Sequence, residues 1–296
     1  MNVALKKFMQ ISKEEIDRRL PLYIKDLRAP AVLKEAMMYS LNAGGKRVRP
    51  LLLLATLKSF GKPLDLGYDV ACALEMIHTY SLIHDDLPAM DDDDLRRGVP
   101  TNHKVYGEAV AILAGDALLT LSVELIAKAA IDTISAEEKL RIIAEITNAI
   151  GAEGMVGGQV ADLEGENRSL QLDELEYIHD HKTGALLTAS IISGAIIARA
   201  SEDDVKHLRA FARELGLLFQ IRDDILDVEG DPDKLGKPVG SDDGNNKSTY
   251  PHLLGLEGAK QKLEEHKQLA KEYLCKVSID PTLLQALTDY IADRDH

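Results

Sequence analysis

The sequence predicts an all-α protein, a single-domain helical bundle with buried, nearly all-apolar helices at its centre. Three observations predict it. Aromatic residues make up only 4% of the 296 and tryptophan is absent, and alternating apolar–polar runs of the kind that mark strands are scarce. Alanine and leucine recur at helical spacing along most of the chain. Turn residues come in short clusters, and no linker or low-complexity stretch intervenes, so residues 1–296 are expected to form one domain.

The elements follow in order. Ser12 with Glu15 has the spacing of a capping box and is expected to open a helix toward Leu27. Pro30 suits the first position of the next helix, which should end at Gly44-Gly45. Pro50 starts another, closing near Gly61. The pattern is helical again from about Leu66 to Asp86, where Pro88 disturbs it. Further helices are expected over residues 107–131, 135–165, 171–199, 201–230, 255–276 and 281–293. Two longer loops, 87–106 and 230–250, are rich in charge and turn residues.

Composition narrows the function. A 45% hydrophobic share supports a large core. The net charge of −14 argues against nucleic acid and against docking on anionic lipid. Cys72 and Cys275 lie far apart without metal-ligand spacing and read as small core residues, not as a disulfide or a zinc site. The stretch MNVALKKFMQISKEE lacks the apolar segment of a secretory signal. Gly184–Ala198, flanked by Lys182 and Arg199, is too short to span a bilayer comfortably and reads as a core helix. The expectation is a cytoplasmic protein with no membrane partner.

The acidity is concentrated in two places. In SLIHDDLPAMDDDDLRRG, Asp85, Asp86 and Asp91 to Asp94 fall within ten residues, followed by Arg96 and Arg97. An acidic run is usually a solvated surface, but Asp85 and Asp86 end an apolar helix, where the helix dipole disfavours negative charge. Divalent cations with oxygen ligands relieve such repulsion, and arginines add forked donors for phosphate. In FQIRDDILDVEGD, Asp223 and Asp227 are four apart and share a helix face, with Gln220 one turn earlier. Two such clusters in one helical protein suggest carboxylate walls facing a cavity, with several Mg2+ ions between them holding a polyanion such as diphosphate.

These residues resemble the two aspartate-rich motifs of the trans-isoprenyl diphosphate synthase family. The resemblance continues through GGKRVRP at 44–50, EMIHTYSLIHDD at 75–86, RRGVPTNH at 96–103, GMVGGQVADL at 154–163, HKTGAL at 181–186 and LGKPVGSDDGNNKSTYP at 235–251, nearly the whole chain. It implies an all-α bundle around a deep central cavity, usually homodimeric. It also implies a prenyltransferase that condenses isopentenyl diphosphate with dimethylallyl or geranyl diphosphate. Ionisation of the allylic diphosphate leaves an allylic cation, the alkene attacks it, and a proton is lost. No protein nucleophile is required. Mg2+ is the implied ion, and Mn2+ is a substitute with the same taste for hard oxygen ligands.

By the same resemblance, Asp85, Asp86 and Asp91 are the first-motif metal ligands. Asp223 is the first choice in the second motif, with Asp224 and Asp227 behind it. Arg96, Lys182, Thr183, Gln220 and Lys237 fall at the allylic diphosphate site, and Lys247 at a further diphosphate contact. Lys46, Arg49, His78 and Arg97 fall at the isopentenyl diphosphate pocket. Taken alone, His78 reads as a hydrogen-bonded core histidine, and Lys46, Arg47 and Arg49 as a solvated loop. Arg47 is left as structural. His78 does lie two turns before Asp85 on the same helix face.

Tyr80, five residues before the first motif, falls where family members often block the hydrocarbon tunnel. A bulky floor there implies a product that stops at farnesyl diphosphate. The helical wheel turns Tyr80 by roughly 140° from Asp85, so the spacing alone does not give it that role. A geranylgeranyl diphosphate synthase is the alternative within the same chemistry. A terpene cyclase would replace DDILD with an Asn/Ser/Glu triad and dispense with the Lys46, Arg49 and Arg97 set. A non-catalytic helical metal- or diphosphate-binding subunit would have no need of all these motif residues.

Overall fold

The computed structural model describes residues 3–129, 133–166, 168–230 and 248–294. The helices are α1 (Val3–Lys25), α2 (Ala31–Asn42), α3 (Val48–Ser59), α4 (Tyr68–Asp85), α5 (Asn102–Tyr106), α6 (Glu108–Lys128), α7 (Ala136–Ile150), α8 (Met155–Gly165), α9 (Leu172–Ile178), α10 (Ala185–Ala198), α11 (Glu202–Glu229), α12 (Tyr250–Leu274) and α13 (Thr282–Asp293). A π-helical stretch, His179–Gly184, joins α9 to α10 without a break. Two-residue strands β1 (Leu95–Arg96) and β2 (Val99–Pro100) form an antiparallel hairpin. The all-α expectation holds.

The chain divides into two compact units. One comprises Lys6–Leu54 and Pro63–Ile143, here the N-terminal unit, and the other holds most of the chain from Ala144 onward. In the N-terminal unit α4 packs along α6, and α2 lies against α4, α5 and α6. Helix α4 is buried from Tyr68 through Ile77 apart from Asp69, which makes it a central helix with no solvent face. Its neighbour α6 presents Ala111, Ala114, Gly115 and Leu118 as a buried stripe, the first three of them small. The hairpin and α5 are tied to α2, because Tyr39 Oη donates to Pro100 O at 2.7 Å and Asn102 Nδ2 donates to Ala36 O and Ser40 Oγ, both at 2.8 Å.

In the C-terminal unit α11 packs along α12, and the π stretch is packed against α8, α9, α10 and α11. Leu175, Ile221, Ile225, Tyr250 and Ala259 form one of its core clusters. Helix α10 is buried from Leu186 to Ala198 except at Thr188. The continuous helix Leu172–Ala198 is long and apolar enough to cross a membrane, as is Glu108–Lys128, with 72% and 39% of their apolar windows buried inside the protein. A core helix meets the same criterion, and the first of these owes its length to α9 and the π stretch running on into α10.

Several helix ends differ from expectation. Ser12 caps nothing, because α1 begins at Val3 and Ser12 sits inside it, buried on the stripe Phe8, Ser12, Ile16, Leu20, Ile24. A stripe recurring every four residues over nearly five turns outweighs a local capping pair. The reciprocal box forms instead at Ser135 and Glu138, where each side chain accepts the other's amide N–H, at 3.1 and 2.7 Å, before α7. The expected helix over 135–165 is two, α7 and α8, separated by a turn at Gly151–Gly154. Helix α12 starts at Tyr250, five residues early, and absorbs a kink at Gly255. The loop expected over 230–250 lies largely outside the described residues.

Candidate active site

Each unit gathers part of the predicted site. In the N-terminal unit, α4 ends at Asp85 with Asp86 as its cap, and the chain turns tightly so that the Asp91 amide donates to Asp85 O at 2.9 Å. That turn brings the first and last acids of DDLPAMD together in space. Asp85 is half-buried and Asp91 exposed, while Asp86 is buried and accepts from Arg96 Nε at 2.6 Å. Burial pushes the Asp86 carboxyl up, and Arg96 opposes this. Arg96 itself loses by burial, but the Asp86 contact outweighs that and holds the guanidinium above its ordinary value.

The hairpin sends adjacent arginines in opposite directions. Arg97 and Gly98 both have positive φ, 55° and 78°, the two-residue turn that suits the twist of paired strands. Arg96 pairs across to Val99 and reaches Asp86, whereas the Arg97 guanidinium donates to Gly44 O. A Cβ on Gly45 would stand 2.7 Å from Arg97 Cζ, so only glycine leaves room for that guanidinium. Burial pulls the Arg49 guanidinium down to about 10, with Glu75 opposing and Arg97 adding to the loss. Burial, then Arg49, Arg97 and Arg96, hold His78 well below its ordinary value, and it is neutral. The structure thus brings His78, Arg49, Arg96 and Arg97 together, with Lys46 adjoining in the chain. Arg47 is structural, as expected. It is buried and fully engaged by Glu75 at 2.6 Å, Asp17 at 2.8 Å and Leu41 O at 2.8 Å.

A small cavity of about 30 Å³ in this unit is lined by Thr79, Ile83, Asp86, Arg96 and Arg97. Tyr80 lies elsewhere on α4, 7% exposed, with its ring edge-on to His84 at 5.7 Å. His84 Nε2 lies 3.0 Å from Ile112 O, and a Cβ on Gly115 would collide with its ring, so the pair leans toward α6.

In the C-terminal unit Lys182, Thr183, Gln220 and Asp224 line one cavity of about 160 Å³ with Asp162, His179 and Thr249. Lys182 Nζ donates to Asp162 Oδ2 at 2.6 Å. Asp162 and His179 are pocket residues that the sequence reading missed. His179 stacks on Tyr250 at 5.7 Å and 15°, its Nε2 is buried without a hydrogen-bond partner among the described residues, and burial pushes it down to about 4. The DDILD acids differ from one another. Asp223 is half-exposed and pairs with Arg294 Nη2 at 2.6 Å, whereas Asp224 and Asp227 are buried. Lys237 and Lys247 lie outside the described residues.

Among the described residues no three acid, imidazole or thiolate groups converge on one point. The donor chemistry nonetheless suits a hard cation, since both motifs offer carboxylate oxygens, with Asp85 and Asp91 drawn together by one turn.

The chain belongs to the polyprenyl synthetase family, which it matches over residues 30–289. It is 56% identical to the farnesyl diphosphate synthase of Bacillus subtilis (strain 168), covering all of both chains, and 54% identical to that of Geobacillus stearothermophilus, covering 99% of each. Among solved structures, an FPP/GFPP synthase from Zymomonas mobilis aligns with a TM-score of 0.88 at 37% identity, covering 99% of this chain and 100% of the other. Members of this family of synthases are generally metal-dependent and act on prenyl diphosphates.

Proposed function

We propose that this protein is a short-chain trans-prenyltransferase. It joins isopentenyl diphosphate head-to-tail to dimethylallyl diphosphate, then to geranyl diphosphate, and releases farnesyl diphosphate. The observation that carries the reading is one turn that joins acids to arginines: the Asp91 amide donates to Asp85 O at 2.9 Å, and Asp86, Arg96 and Arg97 line one pocket. Guanidinium forks beside carboxylates suited to a hard cation call for a polyanion bridged by metal.

In this reading Lys46, Arg49, Arg97 and His78 bind the diphosphate of isopentenyl diphosphate. Arg96, Lys182, Thr183, Gln220, Lys237 and Lys247 bind that of the allylic partner. Lys182 arrives oriented by Asp162, and the neutral His78 donates a hydrogen bond without adding charge. Asp85, Asp86, Asp91 and Asp223, with Asp224 and Asp227, are the carboxylates that would hold Mg2+. When bound, Mg2+ neutralises charge growing on the departing pyrophosphate. The low-dielectric surroundings that depress Arg49 and His78 strengthen every such contact and keep water from the allylic cation.

The family resemblance supports a cytoplasmic homodimer of single-domain subunits, with Tyr80 as the floor of the hydrocarbon pocket. The test is turnover of labelled isopentenyl diphosphate with dimethylallyl or geranyl diphosphate in Mg2+, with and without chelator. Products are then separated by chain length. Mg2+-dependent formation of a fifteen-carbon product is expected, and no condensation under any metal condition would overturn the proposal.

A further inference from the structure

The π-helical stretch His179–Gly184 carries both Lys182 and Thr183, and glycines grip it from two sides. A Cβ on Gly158 of α8 would stand 2.2 Å from the Lys182 amide nitrogen and 2.7 Å from its Cα. From the other side, a Cβ on Gly216 of α11 would meet Gly184 Cα at 3.1 Å. The obstacles are backbone atoms, which cannot rotate aside as a side-chain tip can. Single turns of π-helix are rare and gather at functional sites, because the wider turn changes which way its residues point. Helix α8 also supplies Asp162, four residues beyond Gly158 and therefore on the same face, and Asp162 holds Lys182 Nζ at 2.6 Å. One helix therefore fixes both where the Lys182 backbone lies and where its ammonium reaches.

We propose that Gly158 and Gly216 are positioning residues for the allylic diphosphate. Their missing side chains let α8 and α11 close on the π stretch, and that closure sets the reach of Lys182 and Thr183 into the cavity they share with Gln220. The inference rests on the prenyl-transfer reading above.

The test compares Gly158→Ala, Gly216→Ala and a destabilised control, Leu284→Ala, whose side chain is fully buried on α13 and lines no described cavity. Gly158→Ala is expected to raise KM for the allylic diphosphate about tenfold and to lower kcat, with KM for isopentenyl diphosphate unchanged. Calorimetric titration with inorganic pyrophosphate and Mg2+ should show a matching loss of affinity. Gly216→Ala should act in the same direction but more weakly, since its approach is looser, and it decides the question if Gly158→Ala does not fold. Leu284→Ala should lower Tm and leave both KM values alone. A folded Gly158→Ala with unchanged allylic KM and pyrophosphate affinity would overturn the inference, as would equal shifts for both substrates. A wild type that binds pyrophosphate but does not condense prenyl units would overturn the functional reading instead, and the titration would still test the glycines.

Discussion

Asp224 Oδ2 accepts the backbone N–H of Tyr250 at 2.9 Å, in the buried junction between α11 and α12. Its neighbour Asp223 is 43% exposed at the side chain and faces Arg294 instead. Adjacent carboxylates of one motif thus have different work. Removing the Asp224 acceptor leaves a buried amide unsatisfied at the start of α12, so Asp224→Ala should cost about 1–3 kcal/mol in urea unfolding. Asp223→Asn keeps the shape and an acceptor oxygen but loses the charge. It should lower kcat about a hundredfold while its urea midpoint stays near that of the wild type. Equal losses of stability in the two variants would show that the motif is not divided in this way.

The Arg97 guanidinium lies where a side chain on residue 45 would be. Gly45→Ala places a methyl group 2.7 Å from Arg97 Cζ, and φ of +135° at this position is itself unfavourable for alanine. The guanidinium must swing away from Arg49 and His78. The expected outcome in steady-state kinetics is a KM for isopentenyl diphosphate raised about tenfold, with the allylic KM unmoved. A rise confined to the allylic substrate would assign Arg97 to the other diphosphate.

Much of this architecture is legible from residue pattern, and the misses have physical causes. The central helices α4 and α10 are long, nearly all-apolar runs and α11 carries a long apolar stripe, which no local alternative can match. Ends were less readable, since Ser12 and Ser135 both precede a glutamate by three and only the second caps a helix. The difference is that Ser12 falls on the apolar stripe of α1, a property of the whole helix. The acidic motifs announce themselves by composition. Asp162 does not, because a single carboxylate in a helical pattern looks like surface until Lys182, twenty residues later, is seen to reach it. The four-residue spacing of Gly158 and Asp162 in GMVGGQVADL was the available signal. The opposed directions of Arg96 and Arg97 depend on a tight turn at Arg97-Gly98, whose sequence fits an ordinary charged loop equally well.

Tyr80 is buried on α4, and burial followed by the nearby Asp85 charge pushes its phenol up to about 12, so it remains a neutral, bulky group throughout the working range. As a floor it limits chain growth by volume alone. Tyr80→Ala should then shift the product from fifteen to twenty carbons or more, with first-condensation rates changed less than product length. Chromatography of dephosphorylated products reads this directly. A variant that still stops at the wild-type length would make Tyr80 only a packing partner of His84.

His179 lines the cavity of Lys182, Thr183 and Gln220, with a folded value pushed down to about 4 by burial. An unfolded histidine titrates at about 6.5, so as pH falls the unfolded chain takes up the proton first. The contribution is therefore fully present above about pH 6.5 and is lost progressively between there and about pH 4, by roughly 1.4 kcal/mol per pH unit and about 3 kcal/mol in all. His179→Phe keeps an aromatic ring against Tyr250 but has nothing to titrate. Urea unfolding of wild type and variant across this range removes the carboxylate contributions common to both. The wild type should lose about 3 kcal/mol more than the variant on acidification from pH 7 to 4. Parallel curves would mean that the His179 imidazole accepts its proton in the folded protein as readily as in the unfolded chain, and that the cavity is wetter than the burial of its ring indicates.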